Sequence, residues 1–73
     1  MFDHAAAQRM VLGALLEVHP RLLELAELET RLADVPRREA LRVLVHDGLA
    51  TRLGDRAGAS RAAVRFNVLK TVS

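Results

Sequence analysis

Apolar residues recur every three or four positions through residues 4–18, a spacing that predicts a helix with one broad buried face. Asp3 is suited to cap its start, and Pro20 ends it because the residue before a proline is pushed away from helical backbone angles. The predicted inner face consists of Ala7, Met10, Val11, Ala14, Leu15 and Val18. Leu12 and Leu16 lie on another side, so this helix is apolar nearly all the way round.

The same period predicts two further helices joined by a tight break. The first lies within residues 21–33 and is too short for a coiled coil. The second runs over 36–47, because Pro36 suits a first helical turn and Gly48 suits the position just after a helix. Their apolar stripes are Leu25, Leu28 and Leu32 in the first, and Ala40, Leu41, Leu44 and Val45 in the second. Two helices connected in this way are typical of a helix-turn-helix motif.

After Gly48 the period changes from helical to alternating, which predicts a short β-hairpin, the wing, followed by a last helix. Strands at 49–53 and 56–59 flank a two-residue turn at Gly54 and Asp55. In the first strand, Leu49, Thr51 and Leu53 point to one side, and Ala50 and Arg52 point to the other. A final helix over about 61–70 is capped by Ser60. Its predicted inner face is Ala62, Phe66 and Leu69, which leaves Val64 and Val68 exposed.

These elements define the expected fold class. It is mainly α with a small β component, with a three-helix helix-turn-helix core, a short two-stranded β-hairpin wing and a C-terminal helix. We expect residues 1–73 to form one domain, since the chain is too short for a second.

Composition narrows the cellular setting. The chain has 73 residues and no cysteine, and no apolar run approaches the ~18 residues of a membrane span. Residues 1–4 lack the basic and apolar pattern of a signal peptide, so a cytoplasmic location is expected. Ten arginines against the single Lys70, together with abundant Ala, Leu and Val, suggest a bacterium with a GC-rich genome.

No constellation of residues indicates catalysis or ligand binding. His4, His19 and His46 show no metal-ligand spacing, and Ser60 is not within a nucleophile motif. With two phenylalanines and no Tyr or Trp, the sequence gives no indication of a small-molecule pocket. We therefore expect no enzymatic activity, no metal, no cofactor and no small-molecule ligand.

Charge is unevenly distributed between the two halves of the chain. Residues 1–34 carry three arginines against six acidic residues, a net charge of −3. Residues 35–73 carry seven arginines and one lysine against three acidic residues, a net charge of +5. An acidic half joined to a basic half indicates a scaffold that presents one surface to a polyanion, although arginines on a solvated face would give the same count.

The order of elements and two sequence runs resemble the winged helix-turn-helix family of bacterial transcription regulators. The runs are EALRVLVHDGLATRLGD at 39–55 and ASRAAVRF at 59–66. In that family the third helix ends in a glycine, and a leucine then opens the first wing strand, as Gly48 and Leu49 do here. The resemblance spans nearly the whole chain. It implies a transcription regulator that binds duplex DNA, with the third helix in the major groove and the wing against the backbone or the adjacent minor groove.

The predicted DNA contacts are all arginines, whose guanidinium groups can pair with guanine or clamp phosphates. They are Arg37, Arg38 and Arg42 in the third helix, and Arg52 and Arg56 beside the wing turn. The exposed face of that helix has no Asn, Gln, Ser or Thr, and otherwise offers Glu39, Val43 and His46. Because arginine mostly contributes affinity through counterion release, we expect sequence specificity to be modest or partly indirect.

A second apolar face favours self-association. Leu12 and Leu16 on the first helix, with Val64 and Val68 on the last, recur at helical spacing and form the predicted dimer interface. A two-fold dimer would present two recognition helices to half-sites about one turn of DNA apart. Two alternatives stay open. One of these sets belongs to the core if the facing is rotated, or the faces bind another protein in a winged-helix interaction module that binds no DNA.

Overall fold

The computed structural model describes residues 3–72, with side chains described through Leu69. Four helices and a three-stranded antiparallel sheet follow one another along the chain. In order they are α1 (His4–Val18), β1 (Leu23–Glu24), α2 (Leu25–Arg31), α3 (Arg37–His46), β2 (Ala50–Leu53), β3 (Arg56–Ala59) and α4 (Arg61–Val72). The expected fold class is confirmed. In the described part of the chain no helix is both long and apolar enough to cross a membrane.

Local capping fixes the ends of the helices where the sequence predicts them. Asp3 Oδ1 accepts a hydrogen bond of 2.6 Å from the backbone N–H of Ala6, and Ser60 Oγ accepts one of 3.2 Å from Ala63. Gly48 follows α3 with a φ of 78°, a left-handed backbone that favours glycine. Gly54 opens the predicted two-residue turn with a φ of 62°. The capping and turn predictions are therefore confirmed.

The strand β1 is absent from the sequence prediction, which placed Leu23 and Glu24 in a helix starting near residue 21. In the structure, Leu23 pairs with Ala57 and Glu24 with Arg56, so the sheet has the order β1–β3–β2. The backbone N–H of Leu25 then donates a hydrogen bond of 2.8 Å to the carbonyl of Asp55. Helix α2 begins at Leu25. The edge of β3 that β2 leaves free therefore pairs with a leucine-rich segment that periodicity alone assigns to a helix.

The core lies where α1 packs against α3 and against β3. It consists of Ala7, Val11, Ala14, Leu15, Leu23, Leu28, Val35, Ala40, Leu41, Leu44, Ala50 and Ala57. Most of the predicted inner positions of α1 and α3 are in this set. Met10 and Val45 are not, because each lies at the edge of its helical face and is exposed. In β2 the alternation holds, with Ala50 on the buried side and Leu53 66% exposed.

Gly58 allows β3 to pass close under the chain that precedes β1. Gly58 is buried, and a Cβ atom built on it would lie 2.6 Å from Leu22 Cδ2. The missing side chain therefore leaves room for Leu22 on that face of the sheet.

The predicted facing of α4 is wrong. Ala63 is the buried residue of this helix, whereas Phe66 is 68% exposed and Leu69 is 62% exposed. Val64, expected to be exposed, is half-buried. The start of the helix is held by Ser60, whose backbone N–H donates a hydrogen bond of 3.0 Å to the carbonyl of Leu49 and whose side chain accepts one from Ala63. With the start fixed in this way, Ala63 is buried, and Phe66 and Leu69 lie on an exposed side of the helix.

Candidate nucleic-acid interface

A groove of about 480 Å³ lies between α2, α3 and the wing strand β2. Four arginines line it, three from α3 and one from the wing, namely Arg37, Arg38, Arg42 and Arg52. Its apolar lining consists of Leu25, Leu28, Leu41 and Val45, and its single acidic residue is Glu29. The fold therefore gathers four of the five predicted DNA contacts in one concave surface, which we call the arginine groove.

Arg37 is engaged within the protein. Its Nη2 lies 2.6 Å from Glu29 Oε1, its Nη1 lies 3.5 Å from the carbonyl of Ala33, and its side chain is only 21% exposed. Its Nε is buried and has no hydrogen-bond partner in the described part of the chain. Arg37 thus ties the start of α3 to α2, and it is the least accessible of the predicted contacts.

The same ion pair sets the electrostatics of Glu29. The hydrogen bond from Arg37 and the positive charge of its guanidinium lower the pKa of this carboxyl, and the charge of Arg38 adds to the effect. Burial opposes this lowering by less than Arg37 contributes to it and by more than Arg38 adds. Glu29 therefore stays ionised, and it compensates Arg37 rather than the other arginines of the groove.

Arg38 and Arg42 face solvent one helical turn apart. Arg38 is exposed and forms no ion pair with the described residues. Arg42 is 76% exposed, and its Nη2 lies 2.7 Å and 2.9 Å from the two carboxylate oxygens of Glu39. Such an exposed pair is worth little free energy, so an incoming anion can compete with Glu39 for Arg42.

The two wing arginines point to opposite faces of the sheet. Arg52 pairs across the sheet with the buried Ala57. Its Nε donates a hydrogen bond of 3.2 Å to the carbonyl of Gly54. Paired residues share a face, so Arg52 lies on the side that faces α3 and lines the groove. Arg56 pairs with the exposed Leu53 and lies 3.9 Å from Glu24 on the other side. Arg56 therefore lies outside the arginine groove.

Several residues of the groove carried no functional signal in the sequence. The sequence predicts Leu25 and Val45 only as members of the apolar stripes of their helices, and it predicts no role for Glu29. They meet the arginines only because α2 and β2 approach α3 from the same side. Nothing in the linear order of residues predicts that approach, since Arg52 of β2 follows the groove residues of α2 by more than twenty positions.

The four residues of the predicted dimer interface fall into different environments. Leu12 packs against the core, and Leu16 and Val64 are half-buried. Val68 is exposed, but it lies on another side of the helix from Phe66, which precedes it by two positions. The largest exposed apolar side chains at helical spacing therefore lie on α4 rather than on α1. We call Ala62, Phe66 and Leu69 the α4 apolar face.

Comparisons with protein-family models, with curated proteins and with solved structures find no match for this chain. The fold and the arrangement of its arginines thus carry the functional argument. Among the described residues, no three histidine or carboxylate side chains lie close enough together to hold a metal ion.

Proposed function

We propose that the chain is a winged helix-turn-helix transcription regulator that binds duplex DNA as a homodimer in the bacterial cytoplasm. In this proposal α3 is the recognition helix, and β2 and β3 form the wing. One observation carries it. Arg38 and Arg42 from α3 and Arg52 from the wing line a single groove, so one basic surface spans the two elements that would contact DNA.

The exposed side chains of α3 suit affinity better than sequence discrimination. Arg38 and Arg42 can reach phosphates or pair with guanine in the major groove. Glu39 is held by Arg42, which leaves His46 as the other exposed polar side chain toward the end of the helix. We therefore expect strong dependence of binding on salt and modest preference among sequences.

The test is a salt series of binding to mixed-sequence duplex DNA with the double variant Arg38→Ala/Arg42→Ala. If both side chains contact phosphates, the slope of log affinity against log salt falls by about 1.8, since each contact contributes about 0.9. The matched control is Arg9→Ala/Arg21→Ala, which removes the same charge from exposed positions outside the groove. Wild-type protein that does not bind DNA at low salt would contradict the proposal, as would equal losses in both variants.

The α4 apolar face supports the homodimer. A chain of this size gives a thin stability margin on its own and gains from sharing buried area. The protomer measures 32 × 27 × 21 Å. A two-fold dimer of protomers of this size would present two α3 helices to the DNA, whose half-sites are typically separated by about one turn, roughly 34 Å.

Sedimentation at several concentrations tests the dimer and separates the proposal from its rival. Phe66→Asp should shift the wild-type dimer to a monomer, because it buries a charge in the shared apolar surface. Leu53→Asp is the control, since Leu53 is similarly exposed but lies on the wing. A wild-type monomer that also ignores DNA would favour the rival, an interaction module that uses the α4 apolar face on another protein.

A further inference from the structure

We propose that the arginine groove also binds a small carboxylate with an apolar body, such as a medium-chain fatty acid anion, and that this ligand competes with DNA. The competition rests on the proposed function. The binding of the carboxylate does not, because it depends only on the groove itself.

The size and lining of the groove are those of a ligand site. Its volume of about 480 Å³ falls within the range of about 300–1,000 Å³ typical of small-molecule pockets. Such pockets combine an apolar lining with a few convergent polar groups. Here Leu25, Leu28, Leu41 and Val45 supply the apolar part, and the guanidinium groups converge on it from α3 and β2.

The charges of the groove select an anion. Glu29 is already matched by Arg37 at 2.6 Å, so three arginines are left without a carboxylate partner in the groove lining. Arg38 has no ion pair with the described residues, and Arg52 donates only to a backbone carbonyl. The partner of Arg42, Glu39, does not line the groove. A ligand carboxylate could therefore accept charge-assisted hydrogen bonds from these groups.

The apolar lining distinguishes such a ligand from a nucleic-acid backbone. A phosphate chain would satisfy the arginines but would leave Leu25 and Val45 facing hydrated oxygen atoms. Both side chains are partly accessible, Leu25 half-buried and Val45 exposed. An alkyl body would cover them and remove apolar surface from water. The whole groove is thus complementary to a molecule with one anionic end and one apolar end.

Competition with DNA follows from shared residues. A carboxylate in the groove would take up hydrogen-bond donors of Arg38, Arg42 and Arg52 and would neutralise part of the positive charge that DNA phosphates would use. Saturating carboxylate should therefore weaken DNA binding, which would make the regulator respond to a metabolite of this chemical class.

The test uses octanoate, octanamide and inorganic phosphate as separate probes, with calorimetry for affinity and methyl NMR for location. We expect octanoate to bind at least about tenfold more tightly than either of the others, with shifts at the methyl groups of Leu25 and Val45. Arg38→Gln/Arg42→Gln should lose about tenfold in octanoate affinity, whereas Arg9→Gln/Arg21→Gln should not. Val45→Ser should weaken octanoate several-fold and leave the salt dependence of DNA binding unchanged.

Three results would overturn the proposal. Equal binding of octanamide would show that the arginines do not select the ligand, and equal binding of phosphate would show a simple anion site. Shifts confined to the methyl groups of Ala62 and Leu69 would place octanoate on the α4 apolar face instead. Octanoate binding without DNA binding would refute the proposed function but not the ligand site. DNA binding without octanoate binding would refute the ligand site but not the proposed function.

Discussion

The two arginines beside the wing turn should differ sharply in their contribution to DNA binding. Arg52 and Arg56 are both exposed and flank the same two-residue turn. Arg52 lies on the face of the sheet that lines the arginine groove, whereas Arg56 lies on the opposite face near Glu24. If DNA binds along α3 and the groove side of the wing, Arg52→Ala removes a contact and Arg56→Ala does not.

The expected size of the effect follows from counterion release. Each phosphate contact contributes about 0.9 to the slope of log affinity against log salt. For a fourfold change in salt, from about 50 to about 200 mM, loss of one contact reduces the fall in affinity by a factor of about 3.5. Arg52→Ala should show this change, and Arg56→Ala should keep the wild-type slope.

Fluorescence anisotropy with a labelled duplex at five or more salt concentrations measures both slopes under identical conditions. The comparison is internally matched, because each variant loses one exposed arginine of the same hairpin and the net charge falls by one in both. Equal slopes for Arg52→Ala and Arg56→Ala would refute the assignment of the groove face to DNA. A larger change for Arg56→Ala would place the DNA on the other side of the wing.

Two further predictions concern stability. Leu15→Ala should lower the free energy of unfolding by about 2–5 kcal/mol, because Leu15 is fully buried. Leu53→Ala, at an exposed site, should lower it by less than about 0.5 kcal/mol. Urea unfolding midpoints measure both changes, and equal changes would contradict the assignment of Leu15 to the core. Because the folded pKa of Glu29 is lowered by Arg37, its ion pair stabilises the fold above the unfolded pKa of about 4.3 and is lost as pH falls through the lower folded value. The stability gap between wild type and Glu29→Gln should therefore shrink from pH 7 toward about pH 3, and a gap independent of pH would contradict this role.

Features that depend on a few neighbouring residues could be predicted from the sequence. The caps at Asp3 and Ser60 are hydrogen bonds across three residues, and Gly48 and Gly54 adopt the left-handed backbone that their positions require. The two-residue turn also determines on which face of the sheet each wing arginine lies. A two-residue turn pairs Leu53 with Arg56, which by alternation puts Arg52 on the other face.

Features that depend on packing between distant segments could not be predicted. The pairing of Leu23 with Ala57 joins residues far apart in the chain, and the local sequence around Leu23 favours a helix. The facing of α4 failed for a related reason. Its apolar residues occupy most of the helix circumference, so periodicity does not decide which of them face the core. In the structure Ala63 is the buried one among its described side chains.

The neighbouring arginines at the start of α3 show how one dipeptide can serve two purposes. Consecutive residues on a helix point about 100° apart, so only one of them can face α2. Arg37 does, and its ion pair with Glu29 fixes the start of the helix against its neighbour. The charge of Glu29, which lines the groove, is thereby neutralised by Arg37. The positive charge of Arg38 is then available to bind an anion. The −3 half of the chain would thus contribute to the proposed binding, because Glu29 holds the start of the helix that presents the arginines.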